Sequence, residues 1–292
     1  MNPEISFNDC DFYNGYFYAA SDKDNSFFRF NKDHFEKLFV FGDEEAAGCL
    51  FMQSIMVKDK IILTPSNARN IYTYDCQNDK LMKLCLNGSE AKKSKFHGIL
   101  VNGNYAYFIP VAYPQMLRVN IDNNEIDYID LKCDSPAELN YAQEINGSMI
   151  SYKLYSKKIF EMNLHDNISL MQAKDISCNS IWGYYVYDGR EFLVTDSGIQ
   201  IISDNTLIFE DKKYELNRGI YLFTPYVYRD KIFFFPFSTG GHTSAVPVVI
   251  EKKSNNDYEL RGLNGEIPTC FHCVKEYDGK LYMLRNSDCS VI

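Results

Sequence analysis

Short apolar runs separated by tight polar turns fill this chain from end to end. The clearest unit is Val101-Asn102-Gly103-Asn104-Tyr105-Ala106-Tyr107-Phe108-Ile109-Pro110, where a turn opens into a short strand. Tyr13-Asn14-Gly15, Val57-Lys58-Asp59, Ile145-Asn146-Gly147, Tyr187-Asp188-Gly189, Tyr228-Arg229-Asp230 and Tyr277-Asp278-Gly279 occupy the same place elsewhere. The third residues of these turns are 15, 59, 103, 147, 189, 230 and 279, so the intervals are 44, 44, 44, 42, 41 and 49. Seven copies at a near-constant period are the signature of a repeat architecture.

Each repeat divides into four strands, A to D. In the second, A spans 51–57, B 61–63, C 71–74 and D 81–86. Asn and Asp cluster between the runs because they tolerate positive φ and bond their own backbone, which makes hairpin turns. In the first repeat A is expected near 5–13. The sixth has the most apolar B strand, 232–237, followed by the loop 238–245 with Gly240-Gly241. The seventh has A at 271–277 and B at 281–284, and strand D is missing, so its blade is expected to be three-stranded. No run keeps a 3.6-residue period over ten positions, which excludes a helical solenoid. Immunoglobulin-like units run near 100 residues, about twice this period. The expectation is an all-β, seven-bladed β-propeller forming one domain over 1–292. Its repeats lie at about 1–44, 45–90, 91–134, 135–176, 177–217, 218–265 and 266–292.

Tyr277-Asp278-Gly279-Lys280-Leu281-Tyr282-Met283 and Ile71-Tyr72-Thr73-Tyr74-Asp75 resemble the repeats of bacterial kelch-like propellers. Kelch repeats carry a Gly-Gly pair after strand B and a late Trp, whereas here Gly240-Gly241 and Trp182 each occur once. The resemblance implies a fold and binding on one face, with no specific activity.

Composition narrows the function. The formal net charge is −9 and the longest cationic cluster, Lys92-Lys93-Ser94-Lys95, reads as a solvated loop. Nucleic acid requires a basic footprint that is absent. The same lack disfavours an anionic membrane surface. No stretch reaches the roughly 20 apolar residues of a membrane span, and no secretory signal opens the chain. Nine scattered cysteines, an odd number, read as reduced and mostly buried thiols of a cytoplasmic protein.

In a propeller the B–C loops and D–A connections gather on one face, and the A–B and C–D turns on the other. The first face receives Arg69, Tyr113, Tyr155, Lys157, His242 and Arg285 from B–C loops. It receives Asp43, Glu44, Glu45, His97, Trp182 and His272 from D–A connections and the first residues of A. His34 and His165 fall in C–D turns and read as surface residues. His97, His242 and His272 are either a metal or acid–base group or three unrelated histidines. No short-spaced ligand set supports a metal, and no cofactor is implied. Cys270 and Cys273 have CxxC spacing, but i and i+3 on a strand point to opposite faces. Asp43-Glu44-Glu45 reads as a solvated loop; glycoside chemistry would need a second carboxylate at a defined distance. The remaining signal is Arg69, Tyr113, Tyr155, Lys157, Trp182, His242, His272 and Arg285, of residue types that dominate interfaces and also suit sugars. The first expectation is therefore a non-catalytic scaffold for a protein or peptide partner, with 238–245 central. The second is an enzyme or sensor for a glycan or small polar ligand at the channel mouth.

Overall fold

A computed structural model describes residues 7–45, 48–88, 93–132, 139–153, 156–165, 172–175, 180–195, 198–211, 226–234, 247–254, 257–263, 271–277 and 279–285. These residues form strands and, among the described residues, no helix. Blade 1 is β1–β4 (Asp11–Tyr13, Tyr16–Ala20, Ser26–Phe30, Phe35–Val40) and blade 2 is β5–β8 (Phe51–Val57, Lys60–Pro65, Asn70–Asp75, Lys80–Cys85). Blade 3 is β9–β12 (Phe96–Asn102, Tyr105–Pro110, Met116–Asn120, Ile126–Ile129) and blade 4 is β13–β16 (Asn140–Ile145, Ser148–Tyr152, Lys158–Asn163, Gln172–Asp175). Blade 5 is β17–β20 (Ile181–Tyr187, Arg190–Thr195, Gly198–Ser203, Thr206–Asp211) and blade 6 is β21–β24 (Tyr226–Tyr228, Lys231–Phe234, Val248–Ser254, Asp257–Gly262). Blade 7 contributes β25 (Phe271–Tyr277) and β26 (Lys280–Arg285). Six four-stranded sheets, each in chain order, and a partial seventh make a seven-bladed β-propeller. The expected third strand of blade 7 and the loop 238–245 lie outside the described residues.

The chain divides into two compact units. One comprises Met1–Ile150, Met162–Gln172 and His272–Ile292, and the other Ser151–Glu161 and Ala173–Phe271.

The abundance of Phe and Tyr is explained by the gaps between blades. Twisted sheets meet as wedges, and rings fill a wedge without needing hydrogen-bond partners on every side. In the first unit, Tyr18, Phe27 and Phe41 of blade 1 pack on Leu63, Tyr72 and Tyr74 of blade 2. Phe41 and Tyr72 sit 4.7 Å apart by ring centroid. A second cluster joins Ile62 and Ile71 of blade 2 to Phe96, Phe108 and Leu117 of blade 3. In the second unit, Phe192 and Ile201 of blade 5 face Ile232, Ile250 and Leu260 of blade 6. Second strands such as β6 are buried along almost their whole length, while fourth strands such as β8 alternate with solvent.

The A–B turns take the geometry their residues favour. Asn14-Gly15, Asn146-Gly147 and Asp188-Gly189 hold both central φ values positive, as a two-residue hairpin requires. Blade 6 does this without glycine, with Arg229 at φ 48 and Asp230 at φ 59.

Blade 1 departs from expectation. Strand A begins only at Asp11, because residues 8–10 are used between blades instead of within their own sheet. Asn8 Nδ2 donates to Asp22 Oδ1 and to the Phe51 carbonyl, both at 3.0 Å. Asp9 Oδ2 accepts from the Ser54 backbone at 3.0 Å. Cys10 forms a disulfide with Cys273 of β25, which corrects the expectation of uniformly reduced thiols. The pair lies 263 residues apart in sequence but 6.5 Å apart by Cα, because the last blade packs on the first. Two residues on, Lys275 Nζ reaches Asp9 at 3.4 Å and Asp11 at 3.3 Å. Burial would lower this lysine, but Asp11 and Asp9 hold it above its usual range. Burial also raises Asp9, against the pull of Lys275. Tyr282 of β26 stacks on Phe12 at 5.1 Å and meets Phe17 edge-on at 5.7 Å. Cys49, Cys76 and Cys85 remain free thiols. No helix among the described residues is long and apolar enough to cross a membrane.

Candidate functional site

In the first unit the B–C loops and D–A connections interlock through the backbone. The Cys49 amide donates to the Asp22 carbonyl at 3.1 Å, and the Cys49 carbonyl accepts from Asn67 at 3.2 Å. Lys95 repeats the pattern one blade on: its amide donates to Ser66 O at 3.1 Å and its carbonyl accepts from Val111 at 2.8 Å. Each connection is thus hooked to the loops of both flanking blades. Loops tied this way present side chains at low ordering cost.

Glu44 is the chief tie, and it corrects the reading of 43–45 as a solvated loop. It is 6% exposed. Its carboxylate accepts from the Arg69 amide at 2.7 Å, the Asn70 amide at 3.1 Å and Asn70 Nδ2 at 2.8 Å. Arg69 is thereby held at the surface, where its guanidinium pairs with Glu45. Lys95 corrects the reading of 92–95 as wholly solvated. It is fully buried, with Nζ donating to Ser66 O at 3.4 Å and Asn67 O at 3.3 Å. Burial lowers its ammonium below the usual lysine range while Glu44 pulls it back.

The first strands share a device invisible in the residue types. In blade 3, Pro110 faces Phe96 and Ile109 faces Gly98, so His97 has no partner across the pair. In blade 2, Phe51 faces Pro65 and Gln53 faces Thr64, which leaves Met52 unmatched. In blade 5, Ile181 faces Thr195 and Gly183 faces Val194, which leaves Trp182. A β-bulge at the second residue of strand A therefore recurs, and bulges re-aim the side chain they carry. All three side chains are half-buried. His97 Nδ1 donates to Asn140 Oδ1 at 3.2 Å. Burial lowers the His97 pKa below the usual imidazole value, opposed by this bond. Trp182 Nε1 donates to Ser180 Oγ at 3.0 Å, and its ring packs against the blade 5–6 core. Tyr141 and His272 are the second residues of β13 and β25, the same strand position. Burial, with Asp9 adding, pushes the Tyr141 phenol up.

The sequence-derived residues separate on this map. Arg69 and Lys157 are at the surface and Trp182 is half-buried. Tyr113 is 5% exposed: its ring lies 4.9 Å from Phe96 in the core and its hydroxyl donates to the Asn87 carbonyl at 2.5 Å. His272 and Arg285 lie on β25 and β26, and their side chains are outside the description, as are Tyr155 and His242 altogether. His34 and His165 are exposed, as expected. Sequence reasoning placed Glu44 on this face but read it as solvated, and it missed Lys95, Met52 and Tyr141. For Met52 and Tyr141 the findable signal was positional, one residue into an A strand. No group of three or more His, Cys, Asp or Glu among the described residues is placed to hold a metal ion.

No family model matches the chain, and no curated protein sequence matches it. Solved structures do. A catalytically inactive virginiamycin B lyase from Staphylococcus aureus with quinupristin aligns over 99% of this chain and 94% of its own, at TM-score 0.71 and 13% identity. The WD40 repeats of RRP9 align over 98% and 89%, at TM-score 0.68 and 9% identity. PorZ, a surface component of the type-IX secretion system of Porphyromonas gingivalis, aligns over 96% of this chain and 35% of its own, at TM-score 0.63 and 12% identity. At such identities the likeness establishes the fold alone: this chain is a β-propeller similar in backbone to a lyase, to WD40 repeats and to a secretion component.

Proposed function

We propose that this chain is a non-catalytic binding scaffold that takes a protein or peptide partner on its B–C and D–A loop face. The observation that carries the reading is the recurrent bulge at Met52, His97 and Trp182. A backbone device is repeated while the side chain on it changes from thioether to imidazole to indole. Pure curvature would not need three unlike side chains, whereas recognition of an asymmetric partner does. The Glu44 tie adds preorganisation, and Arg69 and Trp182 are residue types that dominate interfaces. Capture from native lysate, followed by titration of the purified partner, tests this. Arg69→Ala and Trp182→Ala should each weaken binding at least about tenfold, and Lys58→Ala on the opposite turns should not. Equal binding by all variants would sink the proposal.

The second reading is a glycan or small polar ligand near His97. It is favoured by an imidazole that burial keeps neutral beside Asn140. A glycan array read with wild type and His97→Ala separates it from the first. The compartment belongs to the same proposal. The cytoplasmic expectation rested on an odd number of cysteines and the lack of a secretory signal, whereas a Cys10–Cys273 disulfide persists where the milieu is oxidising. Alkylation before lysis and a mass measurement of the two cysteines decides between them.

A further inference from the structure

Within the second unit, blades 5 and 6 leave a cavity of about 300 Å³ where the β17–β18 and β21–β22 turns lie. That is the lower end of the range for small-ligand sites. Strand register fixes its lining. Arg190 and Phe192 share one face of β18, with Tyr187 opposite Arg190 across the pair. Ile232 is paired with Ile250, and Lys252 with Tyr258. The floor is apolar: Phe192, Ile232, Ile250 and Tyr258 are between 1% and 8% exposed. The Tyr258 hydroxyl has no hydrogen-bond partner among the described residues, and the Arg190 guanidinium lies 5.4 Å over the Tyr258 ring.

The rim is charged. Arg190 Nη1 and Lys252 Nζ each stand 3.6 Å from the same Asp188 oxygen. One carboxylate therefore faces two cations, both beyond hydrogen-bond distance. Asp230, on the neighbouring turn, has no ion pair among the described residues. Its contact is the Tyr187 hydroxyl at 3.4 Å. The rim thus offers cations on one side and, on the other, an anion with no ion pair among the described residues, above an apolar floor. An inorganic anion would leave Asp230 unanswered, and a sugar carries neither charge. A mid-chain peptide segment also lacks both charges.

We propose that this cavity binds a free α-amino acid with an apolar side chain. Arg190 and Lys252 receive its carboxylate, Asp230 and Tyr187 its ammonium, and Phe192 and Ile250 its side chain. The site is independent of the loop-face function, because it lies among the A–B and C–D turns.

Titration calorimetry and saturation-transfer NMR on the full chain, with L-leucine and L-phenylalanine as probes, test this. One-site saturable binding is expected. Asp230→Asn should weaken it at least about tenfold, the scale of one charge-assisted contact. The N-acetylated or amidated probe should bind at least about tenfold more weakly for the same reason. Ile250→Trp, which fills the floor, should abolish binding. Asp230→Asn sits on an exposed turn that Asn also suits, so it keeps the test open if the filled variant does not fold. The proposal is overturned if neither probe saturates the folded protein below roughly 10 mM, where binding free energy falls under about 3 kcal/mol. It is equally overturned if Asp230→Asn, or N-acetyl-L-leucine as probe, binds as tightly as the unmodified pair.

Discussion

Reducing the Cys10–Cys273 disulfide should lower stability more than any single surface change. The bond links residues 263 apart, so the unfolded chain loses the freedom of nearly its whole length. The chain-entropy relation gives about 5.6 kcal/mol for a loop of that size. Residual structure in the unfolded chain trims this, and about 3–5 kcal/mol is the expected loss. For 292 residues the unfolding entropy is about 0.6 kcal/mol per kelvin, so Tm should fall by roughly 5–8 °C. Scanning calorimetry of oxidised protein, protein reduced with a phosphine, and Cys10→Ala/Cys273→Ala would measure it. Reduction alone leaves every side chain in place and isolates the cross-link, while the double variant also loses packing. Cys85→Ser, at an exposed thiol, should change nothing. If the reduced protein melts within about 2 °C of the oxidised form, the reasoning fails. Blade 7 would then be held chiefly by the Lys275 pairs with Asp9 and Asp11 and by the packing of Tyr282 on Phe12 and Phe17.

Four further outcomes are expected. Lys275→Met should cost about 2–3 kcal/mol in urea unfolding, because Asp9 and Asp11 lose their shared cation; the full buried-pair value is discounted for a lysine that is 26% exposed. Glu44→Ala should cost about 2–4 kcal/mol by leaving the Arg69 and Asn70 amides and the Asn70 side chain unpaired, with an unchanged slope against denaturant. His97 is held below its usual pKa, so its contribution is present above about pH 6.5 and is lost as pH falls through the folded value. A stability profile that stays as steep in His97→Gln would refute this. Gly98→Val should destabilise by about 1–3 kcal/mol, since a Cβ there would meet the Tyr141 Cα at 3.1 Å. Gly42→Ala, with nothing within 4 Å, should be silent in the same melts.

The repeat was legible because its signals are local. Asn14-Gly15 or Asp188-Gly189 makes a turn from two residues, and expected strands such as 71–74 and 271–277 fall on β7 and β25. What stayed hidden depends on contacts between blades. Strand A of blade 1 was drawn over 5–13, but Asn8 and Asp9 are bonded to β5 of blade 2, which starts more than 40 residues later. Glu44 read as one of three solvated acids because its partners, Arg69 and Asn70, are a blade away. Tyr113 lies in a loop by sequence and in the core by structure, since Phe96, the first residue of β9 in the same blade, covers its ring. The bulges escaped for a different reason. A bulge is an offset in pairing, and Met52, His97 and Trp182 share no chemistry that would align them.

The stitch between the ends also imposes an order on biosynthesis. Translation delivers Cys10 well before Cys273, and at ribosomal speed the interval is roughly 13–50 s for the 263 residues between them. Blades 1 and 2 can assemble within that time, bringing Cys49 next to the segment that carries Cys10: Asn8 Nδ2 lies 3.2 Å from the Cys49 sulfur. A competing thiol is therefore near that segment before Cys273 is made. Burial, with Asp22 adding, keeps the Cys49 thiol above its usual pKa, and a protonated thiol attacks slowly. The packing that later makes the first blade ready for the last thus also slows attack by Cys49.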